Sequence, residues 1–236
     1  MGNVTEIKLP DLSKCSAIFI DLDNTIFDTR TDIKNAIIRE CEAEGIEFKQ
    51  EVFEEWKVRN RAAIYKKYLG FITQEELLRL RGEVLVDTFG LRITPAEGTE
   101  LTMKSIREGY TLLPRVVETL QKLSQRRPLA LASNGILDIQ RPRLVKTDVI
   151  GYFSHLFVSD TVGSQKPSRE FFDYALEKMM LPAERVLMIG DEIGADIVGA
   201  KRAGLMTCYV INGSSKDIPE EADYFVNDFC DLLAIL

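Results

Sequence analysis

The chain alternates short apolar runs with longer amphipathic stretches. Runs of three to five β-branched and apolar residues lie at positions 17–20, 129–132, 156–158, 186–189 and 207–211. Such runs, without polar alternation, are typical of strands buried on both faces of a parallel sheet. Helical patterns lie between them, at 114–124, 169–179 and 195–203. Strand alternating with helix predicts an α/β fold with a doubly wound parallel sheet.

Residues 31–112 break this alternation, because they contain no convincing buried strand. Thr73 and Glu76 have the spacing of a capping box that opens a helix towards Phe89, and another helix is predicted from Pro95 to Glu108. The pattern therefore predicts an all-helical domain inserted after the first strand. We expect an α/β core formed by residues 1–28 and 113–236, and a helical domain formed by residues 29–112.

Composition excludes several classes of function. The 236 residues carry a net charge of −7, which argues against binding a nucleic-acid polymer. No apolar run is long enough to cross a membrane, and the first residues lack the apolar core of a secretory signal. The four cysteines form no CxxC pair, which favours reduced thiols and a cytoplasmic protein. A single histidine excludes mechanisms that need a histidine pair, so carboxylates must carry the chemistry.

The first carboxylates, Asp21 and Asp23, lie where the first strand ends. Residues two apart on an extended chain point to the same side, so both can face one site. Open α/β sheets bind ligands in the crevice at the carboxyl ends of their strands. Aspartates also end strands for purely structural reasons, so this pair alone favours a site only slightly.

A second acidic group follows the strand at 186–189. Asp191 and Glu192 come just after the strand, and Asp196 lies one turn into the next predicted helix. If the two strands are parallel neighbours, Asp21, Asp23 and Asp191 converge. Such a cluster repels itself and needs a hard divalent cation, and oxygen ligands favour Mg²⁺.

Two further features have little weight by themselves. Ser133 and Asn134 follow the strand at 129–132, where a hydroxyl and adjacent amides can hold a phosphate oxygen, but the same residues also make common turns. Lys166 precedes Pro167 in a loop before a predicted helix, and a lone lysine is usually solvent-exposed.

Together and in this order, the features resemble the four motifs of the haloacid dehalogenase superfamily. The first is DxDxT, matched by Asp21, Asp23 and Thr25; Ser133 matches the second, and Lys166 with Pro167 the third. The fourth is an Asp-rich stretch after a glycine, matched by residues 190–196. The resemblance covers roughly residues 17–211 and implies a Rossmann-like core. The helical insertion is similar to the cap domain of the family's phosphatases, which closes over the site and selects the substrate.

The resemblance also implies a mechanism and a set of roles. Asp21 would be the nucleophile that forms an aspartyl-phosphate, and Asp23 the general acid and base. Mg²⁺ would be held by Asp21, Asp23 (through its backbone carbonyl) and Asp191, with Asp196 or Glu192 acting through water. Lys166 would assist catalysis. The phosphate-binding residues would be Thr25, Ser133, Asn134 and Lys166.

The sequence does not decide the substrate. We expect a Mg²⁺-dependent phosphatase acting on a small-molecule phosphate monoester, with a 5′-nucleotide slightly favoured by resemblance. A phosphomutase, a phosphoglycolate or sugar-phosphate phosphatase, and a catalytically silent phosphate-binding protein remain alternatives. The oligomeric state cannot be predicted.

Overall fold

The computed structural model describes residues 7–213 and 218–236. The chain forms two compact units: a core unit, Met1–Asp28 with Leu112–Leu236, and a helical unit, Thr29–Thr111. The helices and strands are, in chain order, β1 (Ala17–Ile20), α1 (Thr29–Ala43), α2 (Gln50–Tyr68), α3 (Gln74–Phe89), α4 (Pro95–Glu108), α5 (Val116–Arg126), β2 (Leu129–Ser133), α6 (Leu137–Lys146), β3 (Phe153–Val158), α7 (Ser159–Val162), α8 (Arg169–Met179), β4 (Val186–Gly190), α9 (Gly199–Arg202), β5 (Met206–Val210) and β6 (Tyr224–Val226).

The core unit is built on a six-stranded parallel sheet. Its strand order is β3-β2-β1-β4-β5-β6, so β1 is central, between β2 and β4. Successive residues of β1 serve opposite faces: Ile18 and Ile20 pack with residues of α5, while Ala17 and Phe19 pack with residues of α8. Helices therefore cover both faces of the sheet, and the predicted doubly wound α/β fold is confirmed.

The helical unit has its own hydrophobic core. Ile33, Ile37, Phe53, Trp56 and Phe89 are all buried in one cluster, which joins α1, α2 and α3. The predicted capping box at the start of α3 is present. The predicted helix from Pro95 to Glu108 is α4, and it begins with a second capping box. Each box satisfies backbone amides that a helix start leaves unpaired.

The sequence prediction differs from the structure at several places in the core unit; helix α7, for example, was not predicted. The backbone of Arg115 adopts the left-handed conformation, with φ of 56°. Helix α5 therefore begins after Arg115, and Pro114 lies outside the helix. The helix predicted at 195–203 is instead a π-helix, Ile193–Val198, followed by α9. Strand β6 was not predicted, because three residues at a sheet edge carry little periodic signal.

Each helix in residues 7–213 and 218–236 is too short or too polar to cross a membrane.

Candidate active site

The sheet order brings three predicted site segments to one edge. Because β1 lies between β2 and β4, the residues that follow these strands are neighbours at their carboxyl ends. Asp21 follows β1 and its backbone amide continues the ladder, donating to the Ile189 carbonyl at 2.9 Å. Ser133 is the last residue of β2, and Asp191 directly follows β4. All three residues are buried.

Lys166 connects these segments through its ammonium group. Its Nζ donates to Asp21 Oδ1 at 2.8 Å, Asp196 Oδ1 at 2.6 Å and the Ala132 carbonyl at 2.5 Å. A lysine has three N–H donors, so each is used. The side chain is only 1% exposed, which contradicts the usual expectation for a lone lysine in a loop. The sequence places Lys166 in a phosphate-binding motif by resemblance, and the structure places it within a carboxylate cluster.

Three carboxylates gather around one point at this edge. Oxygen atoms of Asp21, Asp191 and Asp196 all lie within 4.8 Å of one another. Hard oxygen donors at this separation fit a hard divalent cation such as Mg²⁺. Both oxygens of Asp196 are already engaged, Oδ1 by Lys166 and Oδ2 by the backbone amide of Glu192 at 3.1 Å. Asp196 is therefore held in place by protein donors on both of its carboxylate oxygens.

Asp196 reaches this cluster because of local backbone features. It lies in the π-helix, whose wider turn occurs frequently at functional sites. Gly190 leaves room for it, since a Cβ at this position would lie 2.2 Å from Asp196 Oδ2 and 2.4 Å from its Cγ. Only glycine therefore fits between the end of β4 and this carboxylate.

The electrostatics of the cluster follow from burial and from its charge balance. Of the three carboxylates, Asp21 and Asp196 pair directly with the Lys166 ammonium group, and Asp191 lies close to both. Burial raises the pKa of Asp21 to about 7; Lys166 opposes this shift, while Asp196 and Asp23 add to it. Burial lowers the pKa of Lys166, but the Asp196 and Asp21 carboxylates outweigh burial and hold it above its usual value. Burial in this cluster therefore makes Asp21 easier to protonate than an exposed aspartate.

The remaining predicted residues take different positions. The side chain of Asn134 makes two hydrogen bonds to the Lys166 backbone: its Nδ2 donates to the carbonyl at 2.6 Å, and its Oδ1 accepts from the amide at 2.8 Å. Asn134 thus supports the lysine loop. The Thr25 hydroxyl is buried and has no hydrogen-bond partner among the described residues. Both residues were predicted to bind phosphate by resemblance, and that role stays a prediction.

Asp23 faces two side chains that the sequence reasoning missed. Its Oδ1 accepts from Arg143 Nη1 at 2.7 Å, and its Oδ2 accepts from Gln140 Nε2 at 3.0 Å. Both partners lie on α6 and are buried. Charged and polar residues on a helix are usually exposed, so a sequence gives no sign of this burial. Their i, i+3 spacing just after Ser133 is the one signal that places them near the site.

The family is identified by comparison with known proteins. Residues 15–204 match the model of the haloacid dehalogenase-like hydrolases. Pyrimidine 5′-nucleotidase YjjG of Escherichia coli is 32% identical over 86% of this chain and 88% of its own. Pyrimidine 5′-nucleotidase PynA of Streptococcus pneumoniae is 30% identical over 81% and 82%. The chain therefore belongs to the haloacid dehalogenase-like hydrolases.

A solved structure gives the same result. The HAD-hydrolase YfnB of Bacillus subtilis, described as bound to magnesium, superposes with a TM-score of 0.82 at 28% identity. The match covers 94% of this chain and 98% of that chain. The resemblance stated from the four motifs is confirmed, and the protein is a hydrolase by family.

Proposed function

We propose that this protein is a Mg²⁺-dependent phosphatase of small-molecule phosphate monoesters, with nucleoside 5′-monophosphates, pyrimidine ones in particular, as the favoured substrates. The observation that carries the reaction class is the buried cluster of Asp21, Asp191 and Asp196 around Lys166. The observation that favours nucleotides is the similarity to two pyrimidine 5′-nucleotidases over more than four fifths of the chain. In this proposal residues 29–112 are the cap that selects the ester.

The proposed reaction has two steps, both on Asp21. In the first, an Asp21 carboxylate oxygen attacks phosphorus, the bond from phosphorus to the ester oxygen breaks, and Asp23 gives its proton to the departing alcohol. In the second, Asp23 takes a proton from water, which attacks the aspartyl-phosphate and releases inorganic phosphate. Each cycle thus consumes one water and returns both aspartates to their starting states.

The cation would be held by the carboxylates of Asp21 and Asp191 and by the Asp23 backbone carbonyl, with Asp196 or Glu192 acting through water. When bound, Mg²⁺ supplies positive charge that offsets charge on the transferred phosphoryl group. Lys166 adds a fixed positive charge to the same region and holds Asp21 in place. Ser133, at the end of β2, and Thr25, in the turn after β1, are the proposed hydroxyl contacts for phosphate oxygens.

Asp23 separates the proposed reaction from carbon–halogen cleavage. A departing alcohol needs a proton, whereas a halide leaves without one. A carboxyl group two residues after the proposed nucleophile supplies that proton donor. Its presence favours a phosphate ester over a haloacid.

The test is release of inorganic phosphate from a panel of esters, with Mg²⁺ and with a chelator. The panel contains pyrimidine and purine nucleoside 5′-monophosphates, a nucleoside 3′-monophosphate, phosphoglycolate and sugar phosphates, and a haloacid is assayed for halide. We expect Mg²⁺-dependent release, fastest from a pyrimidine 5′-monophosphate. Binding without turnover, phosphate moved to another carbon, or halide release alone would each overturn the proposal.

Magnesium is also expected to change stability in a pH-dependent way. The folded-state pKa of Asp21 is about 7, above the unfolded value of 3.8, so the metal-free folded state binds the extra proton and loses stability as pH rises through that window. The cation needs the ionised carboxylate. Its stabilisation, about 2.7 kcal/mol at 100 times its dissociation constant, should therefore be larger at pH 8 than at pH 5.

Thermal unfolding with and without Mg²⁺ at these two pH values measures this effect. Asp191→Asn is expected to reduce the gain, and Asp173→Asn, in an exposed ion pair with Arg169, is the control that should keep it. An equal gain at both pH values, or none at either, would contradict the proposed cation site.

A further inference from the structure

Asp23, Arg143 and Gln140 form a closed hydrogen-bonded triangle. Arg143 Nη1 donates to Asp23 Oδ1 and to Gln140 Oε1, each at 2.7 Å, and Gln140 Nε2 donates to Asp23 Oδ2 at 3.0 Å. Each side chain thus contacts the other two. Each oxygen of the Asp23 carboxylate accepts a hydrogen bond from a side chain of α6. These two hydrogen bonds restrict rotation of the carboxylate about its side-chain bonds.

The triangle is built into the protein interior. Arg143 is completely buried and Gln140 is 2% exposed, whereas the Asp23 side chain is 32% exposed. The guanidinium carbon of Arg143 lies 4.3 Å from the centre of the Phe27 ring, which supports the cation from one face. Gly135 makes room for Gln140, since a Cβ there would lie 2.5 Å from Gln140 Nε2. Asp23 is therefore the only one of these three side chains that is substantially exposed.

A buried arginine is costly unless a carboxylate compensates its charge. The Arg143–Asp23 contact is charge-assisted, while the Gln140–Asp23 contact is longer and its donor is neutral. The weaker contact is the one that can be exchanged for a ligand atom. The geometry thus assigns different tasks to the two residues of α6.

We propose that Arg143 and Gln140 are positioning residues for Asp23, with Arg143 the permanent anchor and Gln140 the contact that yields when Asp23 engages the leaving group. The inference rests on the proposed function, in which Asp23 protonates the departing alcohol: Oδ2, released by Gln140, carries the proton, and Oδ1 keeps its contact with Arg143. Placement matters because a reacting group that moves by about 1 Å can lose about 10²-fold in rate.

The test compares two classes of ester, since an acidic phenol leaves without help and an alcohol does not. The substrates are an aryl phosphate with an acidic phenol and a nucleoside 5′-monophosphate, an alkyl ester. Arg143→Met is expected to lower kcat for the alkyl ester by about 10²-fold and to change the aryl ester far less. Gln140→Leu should also lower kcat more for the alkyl ester than for the aryl ester, but by a smaller factor. Arg126→Met, at an exposed arginine on α5, should leave kcat for both esters unchanged.

The outcomes separate the inference from the function. No turnover of either ester by the wild type would defeat the proposed function. Turnover by the wild type, with an alkyl-selective loss in Asp23→Asn but equal or no losses in Arg143→Met, would defeat the inference alone. If Arg143→Met does not fold, Gln140→Leu carries the test, and an absence of alkyl selectivity there overturns the proposal. In the double variant Asp23→Asn/Arg143→Met, the second substitution should add no further alkyl-selective loss, because both act through one group.

Discussion

Asp21→Asn is expected to lower kcat for every phosphate ester by at least about 10⁴-fold. The amide oxygen is a poor nucleophile, so no covalent intermediate can form on this side chain. The substitution is nearly isosteric, and the amide oxygen can still accept from Lys166 Nζ, which lies 2.8 Å from Asp21 Oδ1. We therefore expect a folded protein that has lost its chemistry.

Acid quenching after mixing with a phosphate-labelled substrate measures the intermediate directly. The wild type should carry label on the protein, and Asp21→Asn should carry none. The matched control is Asp173→Asn, since Asp173 lies in an exposed ion pair on α8, and it should keep both turnover and label. Turnover within ten-fold of the wild type in Asp21→Asn, with mass spectrometry excluding deamidation back to aspartate, would contradict the nucleophile assignment.

The sequence predicts the central part of the fold because the physics there is local. The four residues of β1 form an apolar run buried on both faces, and the predicted capping box that opens α3 is a pattern of neighbouring residues. The sequence predictions fail where packing between distant parts of the chain determines the local structure. The π-helix at Ile193–Val198 brings Asp196 to the cluster, and helical periodicity alone does not distinguish it from an α-helix.

In the candidate site, too, the residues set by local sequence patterns are predictable and those set by distant packing are not. Asp21 and Asp191 directly follow apolar strands and Ser133 ends one, so all three are predictable, and strand order alone brings them together. Arg143 and Gln140 are not, because burial of an arginine depends on a carboxylate 120 positions away in the chain. Asn134 is intermediate: its place after β2 is predictable, but its two hydrogen bonds to the Lys166 backbone depend on the path of a distant loop.

Lys166 shows most clearly why the motifs are interdependent. It is a single cation with two buried carboxylate partners, and it also donates to the end of β2 through the Ala132 carbonyl. One side chain therefore links the segments that follow β1 and β4 with the end of β2. The electrostatic balance of the site depends on it, because burial already raises the pKa of Asp21 with the lysine present.

Lys166→Met is expected to destabilise the protein by about 3–5 kcal/mol at pH 8, because it leaves Asp21 and Asp196 buried without their cation. The loss should shrink as pH falls. Removing the lysine takes away the charge that opposes the raised pKa of Asp21, so the folded-state pKa of Asp21 moves further above its unfolded value. The folded variant then binds more protons and regains stability on acidification. Turnover should also fall sharply, since Asp21 is no longer held ionised.

Urea unfolding at pH 8 and pH 5.5 measures both parts of this effect. Lys201→Met is the matched control, because Lys201 forms a partly exposed ion pair with Asp223, and losing such a pair costs about 0–1 kcal/mol. If the variant is unfolded at pH 8, folding at pH 5.5 still tests the sign. A cost below about 1 kcal/mol, or a cost that grows as pH falls, would show that the two carboxylates do not depend on Lys166 for their charge. The site would then have to be balanced by another cation.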